Sequence, residues 1–239
     1  MTRNSLFFVL LFLSACAFHK SEWKTVPSKE IEQRMMTVLS KVCLDGEGKA
    51  KISHAESKSF LSYSSLLKPK DKEWAIGFDV PFHGEETLVF NWNHFPESPF
   101  SISGTIASQL ESNHFLEGET QVFFEGLVSF LDWIMFAKNE PSSMDSFHCW
   151  GQSDTENENG RCQLDFKNSS SQEVTFKQDG KKSLFFLPFG EKKSVVMSLD
   201  IENEKYFERV AFSIVENGEE KRLSEKDGME FSVKSCTVR

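Results

Sequence analysis

The chain has 239 residues, with 27 lysines and arginines against 36 aspartates and glutamates and a formal net charge of −9, a balance that argues against nucleic acid or an anionic membrane surface as an electrostatic partner. Its length admits one large domain or two small ones, and with no low-complexity linker and no internal repeat one domain is expected. Phenylalanine occurs 24 times and tyrosine only 2, which suits a large dry interior better than a polar substrate groove.

The first residues, MTRNSLFFVLLFLSACAFHK, carry one positive charge at Arg3, an apolar run from Leu6 to Leu13 and small residues before Cys16. That is the layout of an export signal whose apolar run is too short to span a bilayer. The segment Leu13-Ser14-Ala15-Cys16 resembles the bacterial lipobox, in which the cysteine becomes the acylated first residue of the mature chain. The resemblance implies a lipoprotein signal peptide over residues 1–15, lipid attachment at Cys16 and a lipidated tether over residues 16–27. Ala17, where an aspartate would imply inner-membrane retention, implies the bacterial outer membrane, with the domain facing the periplasm. A single acyl chain anchors only marginally and several give a stable tether. No second apolar segment reaches spanning length, so the chain is expected to be held at a membrane without crossing it.

From Ser28 to Cys43, Ile31, Met35, Val38, Leu39 and Val42 fall at helical spacing, which predicts an amphipathic helix with a narrow buried stripe. DGEGKAKIS then turns into a strand, and strands are predicted over Lys49–His54, Ser57–Ser64, Glu73–Val80 and Glu86–Asn93, with KPKDKE as a charged turn. The third and fourth of these flank Pro81-Phe82-His83-Gly84, a turn with a bare phenylalanine where polar residues normally sit. A proline-containing loop, NHFPESPFSISG, precedes a predicted helix over Glu119–Lys138. There Phe123, Leu127, Phe130, Leu131 and Ile134 form one stripe, broadened by Phe124, Val128, Trp133 and Met135. A helix so apolar needs cover on several sides, as inside a concave sheet. Glu125 and Asp132 argue against a membrane span.

After Cys16 four cysteines remain, Cys43, Cys149, Cys162 and Cys236, an even count that in an exported chain suggests two disulfides with three possible connectivities. Pairing Cys149 with Cys162 would staple a hairpin around WGQSDTENENGR and leave Cys43 for Cys236. None of the spacings is metal-like. Beyond Cys162 the chain alternates as strands: Leu164 and Phe166; Val195, Met197, Leu199 and Ile201; Val210, Phe212 and Ile214; Met229, Phe231 and Val233. QDGKK, PFGEKK, ENGEEK and EKDG supply turns. The expected fold class is α+β, one large antiparallel sheet with two helices packed on it.

Chemistry-bearing constellations are sparse. His54, His83, His94, His114 and His148 are scattered, with no HExxH, no GxSxG and no P-loop. His148 and Cys149 are adjacent in an extended segment, so their side chains point to opposite faces. No catalytic residue, metal or cofactor is expected.

Two segments resemble a known family. Trp74–Asn91, WAIGFDVPFHGEETLVFN, resembles two adjacent strands of the LolB family of outer-membrane lipoprotein receptors, in the LolA/LolB half-barrel superfamily, where a Pro-Leu-Gly turn presents a protruding leucine to lipid. Pro81, Phe82 and Gly84 occupy the matching places, in a turn one residue longer. Leu127–Glu140, through Trp133 and Ile134, resembles the family's helix. The order of parts also matches: lipobox, amphipathic helix, strands, central helix, strands. The resemblance implies a half-barrel over residues 28–239, an open and strongly curved sheet whose concave face is covered by helices. It also implies a cavity for acyl chains lined by Phe60, Phe78, Phe90, Leu131, Met197 and Phe212, and Phe82 as a membrane-inserting tip. The implied function is insertion of lipoproteins into the outer membrane, with membrane lipid, a periplasmic lipoprotein carrier and its cargo as partners. The alternative is a non-catalytic scaffolding lipoprotein with a filled core.

Overall fold

The computed structural model describes residues 28–54, 57–82, 84–93, 100–104, 118–153, 158–167, 171–179, 181–189, 193–203, 205–216 and 228–237. Cys16, the signal and the tether lie outside the described residues.

Helix α1 spans Lys29–Ser40. Ser28 caps it, its hydroxyl accepting from Ile31 N–H at 3.2 Å, and Glu30 and Glu32 in the first turn complement the helix dipole. Ile31, Met35 and Leu39 recur at four-residue spacing and are the buried stripe. The helix stops short of Cys43 because the Val42 N–H bonds to the Leu39 carbonyl, tightening the last turn and releasing the chain.

Among the described residues twelve strands follow: β1 (Gly46–His54), β2 (Ser57–Lys68), β3 (Glu73–Val80), β4 (Gly84–Asn91), β5 (Ser101–Ser103), then, after helix α2 (Glu119–Ala137), β6 (Met144–Ser153), β7 (Glu158–Phe166), β8 (Ser171–Asp179), β9 (Lys182–Phe189), β10 (Lys193–Glu202), β11 (Phe207–Glu216) and β12 (Gly228–Cys236). They form one antiparallel sheet in the order β5-β4-β3-β2-β1-β12-β11-β10-β9-β8-β7-β6. Two meanders thus lie side by side, joined where β12 returns to pair with β1, from Gly46 opposite Cys236 to Ser53 opposite Gly228. Among the described residues the pairing runs from β5 to β6 without closing on itself. The α+β expectation of one large antiparallel sheet with two helices is met. The first strand begins earlier than expected, at Gly46, where a Cβ on Gly48 would lie 2.0 Å from the Ser232 carbonyl oxygen at a bulge that only glycine tolerates.

Helix α2 is buried almost all round, with Phe123, Phe124, Leu127, Val128, Phe130, Leu131, Trp133, Ile134 and Met135 inaccessible. Its aromatics meet both meanders. Phe124 lies 5.5 Å from Phe90 of β4, Phe130 6.3 Å from Phe212 of β11, and Trp133 5.5 Å from Phe185 of β9 and 6.0 Å from Phe147 of β6. Gly126 lets the helix lie against β10: a Cβ there would come within 2.6 Å of Val195. Between β2 and β3, Lys72 donates to Ser143, the residue just before edge strand β6. Below that contact the buried carboxylate of Asp132 accepts from the Ser143 N–H, 3.0 Å to each oxygen.

The disulfides pair Cys43 with Cys236 and Cys149 with Cys162. Cys149 and Cys162 face each other on β6 and β7 with Cα atoms 4.1 Å apart, the close spacing of a non-hydrogen-bonded antiparallel pair. At the outer edge of β6, Ser28 N–H donates to the Cys149 carbonyl at 2.9 Å and Cys149 N–H donates to Glu32 Oε1 at 3.1 Å, so the first turn of α1 caps an otherwise open strand edge.

One expectation fails on parity. In β2, Tyr63 and Leu67 face the core, and side chains two apart share a face, so Phe60 points outward and is 71% exposed. It does not line the interior. Phe78, Phe90, Leu131, Met197 and Phe212 are all buried in the main core. A second apolar cluster, Leu184, Phe186, Val196 and Val215, lies on the opposite face of β9, β10 and β11.

Candidate functional site

The β3–β4 hairpin places Phe82 at its turn. The register from Glu73 opposite Asn91 to Val80 opposite Gly84 is unbroken, and Trp74, Ile76 and Phe78 on β3 face Leu88 and Phe90 on β4 inside the core. A rigid, well-packed hairpin therefore ends in Pro81 and Phe82. Phe82 is fully exposed and has φ +69°. A bulky side chain in the left-handed region is strained, and such outliers gather where a position has a role beyond folding. Phe60 is exposed in the same meander: the β2–β3 pairing ends with Ser62 opposite Asp79, and Phe60 stands two residues beyond that end on β2. The outward-facing phenylalanine was legible in the alternation of β2 once Tyr63 is recognised as the inward residue. Lys51 lies opposite Phe60 on β1, and Lys58 is exposed two residues before it.

The expected interior residues are brought together, but around a helix. Phe90 and Phe212 contact the aromatic rings of α2, and Leu131 belongs to that helix. Trp74 stacks on Phe90 at 5.7 Å and meets Phe231 at 5.9 Å, and its indole N–H donates to the Leu44 carbonyl at 2.8 Å. Tyr63 packs edge-on against Phe231 at 5.1 Å, and burial, with a smaller contribution from Tyr206, pushes its hydroxyl up to about 12.

At the far end of β3 from Phe82, where Leu67 pairs with Trp74, lies a cleft of about 570 Å³. The last turns of both helices open into it, with Val42, Leu44, Leu67 and Ala137 as an apolar floor and Lys41, Lys138, Lys205, Asp45 and Glu140 among its walls. Lys138 Nζ donates to the Ser40 carbonyl at 2.5 Å, meeting an orphan acceptor at the end of α1. Burial holds the Lys138 ammonium below its ordinary pKa, with Glu140 opposing that shift. Asn139 beside it has φ +57°. The sequence offered a signal for this cleft in the run MFAKNEP, where a lysine follows directly on an apolar helix.

Among the described residues no cluster of three or more histidines, cysteines or carboxylates could hold a metal ion. Cys149 is spent in its disulfide, and His148 Nδ1 stands 3.7 Å from Glu32 at an exposed position. His83, His94 and His114 lie outside the described residues. The most buried carboxylate among the described residues, Asp132, is pushed above its ordinary pKa by burial, opposed first by the Ser143 amide and then by the charge of Lys72. Its carboxylate accepts from the Ser143 N–H where the chain enters β6, and the Ser142 hydroxyl and Trp92 indole also favour its charged form, a structural use.

No family model, no curated protein and no solved structure matches this chain.

Proposed function

We propose that this chain is a bacterial outer-membrane lipoprotein, anchored through an acylated Cys16 and facing the periplasm, that receives acyl chains or lipoproteins and helps insert lipoproteins into the membrane. The observation that carries this reading is Phe82, a fully exposed, strained aromatic at the end of a rigid hairpin. Water gives a bare phenylalanine nothing there, whereas insertion into hydrocarbon removes its whole apolar surface from water, on the order of 2 kcal/mol. Phe60 is a second exposed aromatic in the same meander. The resemblance of Trp74–Asn91 to the LolB family assigns the same position to lipid contact.

The half-barrel form of the reading is supported by the reach of α2, which touches β4 near one edge of the sheet and β6 at the other. It is supported as well by the Lys72–Ser143 contact between the β2–β3 turn and the residue that leads into β6. A flat sheet of twelve strands at about 4.8 Å spacing would hold those groups tens of ångströms apart. On this reading acyl chains lodge among Phe78, Phe90, Leu131, Met197 and Phe212 by displacing contacts of α2. The filling of that space by Phe124, Phe130 and Trp133 favours the second reading, a scaffolding lipoprotein whose tip docks a protein partner.

The test is a soluble form beginning at Ala17, titrated with a fluorescent acylated peptide and then mixed with vesicles, alongside Phe82→Glu. Saturable micromolar binding by both forms, with delivery to vesicles lost in the variant, is the expected result. Failure of both to bind the peptide removes the acyl-chain reading and leaves the scaffold.

A further inference from the structure

We propose that the cleft at the helix C-termini is a binding site for the singly charged anionic head group of a small amphiphile, with Lys138 as its principal contact. The proposal does not rest on the reading of Phe82, which lies at the other end of β3. The cleft's volume, about 570 Å³, falls within the usual range of small-ligand sites, and it joins an apolar floor to a charged rim. Val42, Leu44, Leu67 and Ala137 are members of the main core, so an alkyl chain entering here continues into apolar packing. The rim supplies three ammonium groups, Lys41, Lys138 and Lys205, against the carboxylates of Asp45 and Glu140. Among the described residues that balance is one positive charge, which matches one anionic head.

Lys138 is the residue whose chemistry changes most on binding. An ammonium has three N–H donors, and its hydrogen bond among the described residues is one donation to the Ser40 carbonyl. Burial weakens its hold on the proton. An anion beside it restores that hold, so binding is coupled to proton uptake at alkaline pH. The Cys43–Cys236 disulfide, whose Cys236 lines the cleft, ties the end of α1 to β12 and keeps the wall in place.

A carboxylate amphiphile and a lipid phosphodiester share this single charge, and the experiment separates them. The protein is titrated calorimetrically with decanoate, with dihexanoylphosphatidylglycerol and with decyltrimethylammonium, at pH 9 in two buffers of different ionisation enthalpy. Expected are micromolar binding of at least one anionic probe, none of the cation, and net proton uptake. Lys138→Met is expected to weaken binding tenfold or more and to abolish the uptake, and Phe82→Glu to leave both unchanged. Because Lys138 also caps α1, Lys205→Glu, at an exposed position, is the second variant, with a loss of threefold or more expected and folding retained. Equal binding of the cation, no binding of either anion, or full affinity in both lysine variants overturns the proposal. If decanoate alone binds, the ligand is a carboxylate amphiphile; if the phosphodiester alone binds, it is a lipid head group.

Discussion

The outer face of β2 and the outer face of β9, β10 and β11 both carry large apolar side chains, and the two meet opposite fates. On β9–β11, Leu184, Phe186, Val196 and Val215 cluster and are buried, with Lys177 Nζ 5.2 Å above the Phe186 ring. On β2, Phe60 and Leu66 stand apart and exposed, in the meander that also carries Phe82. An apolar residue on an outward-facing strand position is therefore not in itself a sign of a binding surface. The reading proposed for Phe82 requires the uncovered kind, and Phe60 and Phe82 are both of that kind.

The largest effect expected from this contrast comes from placing a carboxylate on each face. Val196→Asp buries an unpaired charge in a closed cluster and is expected to cost about 3–5 kcal/mol in urea unfolding, whereas Phe60→Asp is expected to stay within about 0.5 kcal/mol. Equal costs would mean that Phe60 is covered in solution, and it would lose its claim to be a lipid-facing residue.

The contact of α2 with the entry to β6 gives a pH-dependent handle of intermediate size. Asp132 has its pKa raised by burial, so the stability it contributes is fully present below the unfolded value of about 3.9 and is lost as pH rises through the higher folded value. The wild type is thus expected to lose stability relative to Asp132→Asn as pH rises above about 4. Among the described residues the charged group that acts on this carboxylate is Lys72, from the β2–β3 turn. A difference between the two proteins that does not change with pH would show that Lys72 and the Ser143 amide already hold the carboxylate at its ordinary value.

The smallest effect belongs to the ion pairs where the outer faces of the two meanders meet. Lys51 lies 3.9 Å from Glu230, and Arg209 lies 3.4 Å from Glu230 and 3.7 Å from Asp200, spanning β1, β12, β11 and β10. With Arg209 about half exposed, Arg209→Met is expected to shift stability by less than about 1 kcal/mol and to lose even that at 1 M salt. A larger, salt-independent loss would make this seam a structural clasp between the meanders.

Much of the fold was legible locally. The four-residue spacing of Ile31, Met35 and Leu39 named the buried stripe of α1, the near-continuous apolar surface of α2 announced its burial, and alternation around Phe90, Met197 and Phe212 marked true core strands. The two disulfides agree with the pairing that the hairpin around Cys149 and Cys162 suggested, because residues opposite each other on adjacent strands are already at bridging distance. Phe82 at its turn needed no more than its neighbours, Pro81 and Gly84, to be noticed.

What the amino-acid order determined by itself was the period of each element and the turns between them, since those depend on residues a few positions apart. Tertiary structure alone decided that Phe60 faces outward, that β12 closes the gap beside β1, that Asp132 meets Ser143 and Lys72, and that two helix ends and a lysine enclose a cleft. Each of these depends on which distant segments pair and in what register. A shift of one residue in that register exchanges the two faces of a strand while leaving its local pattern unchanged.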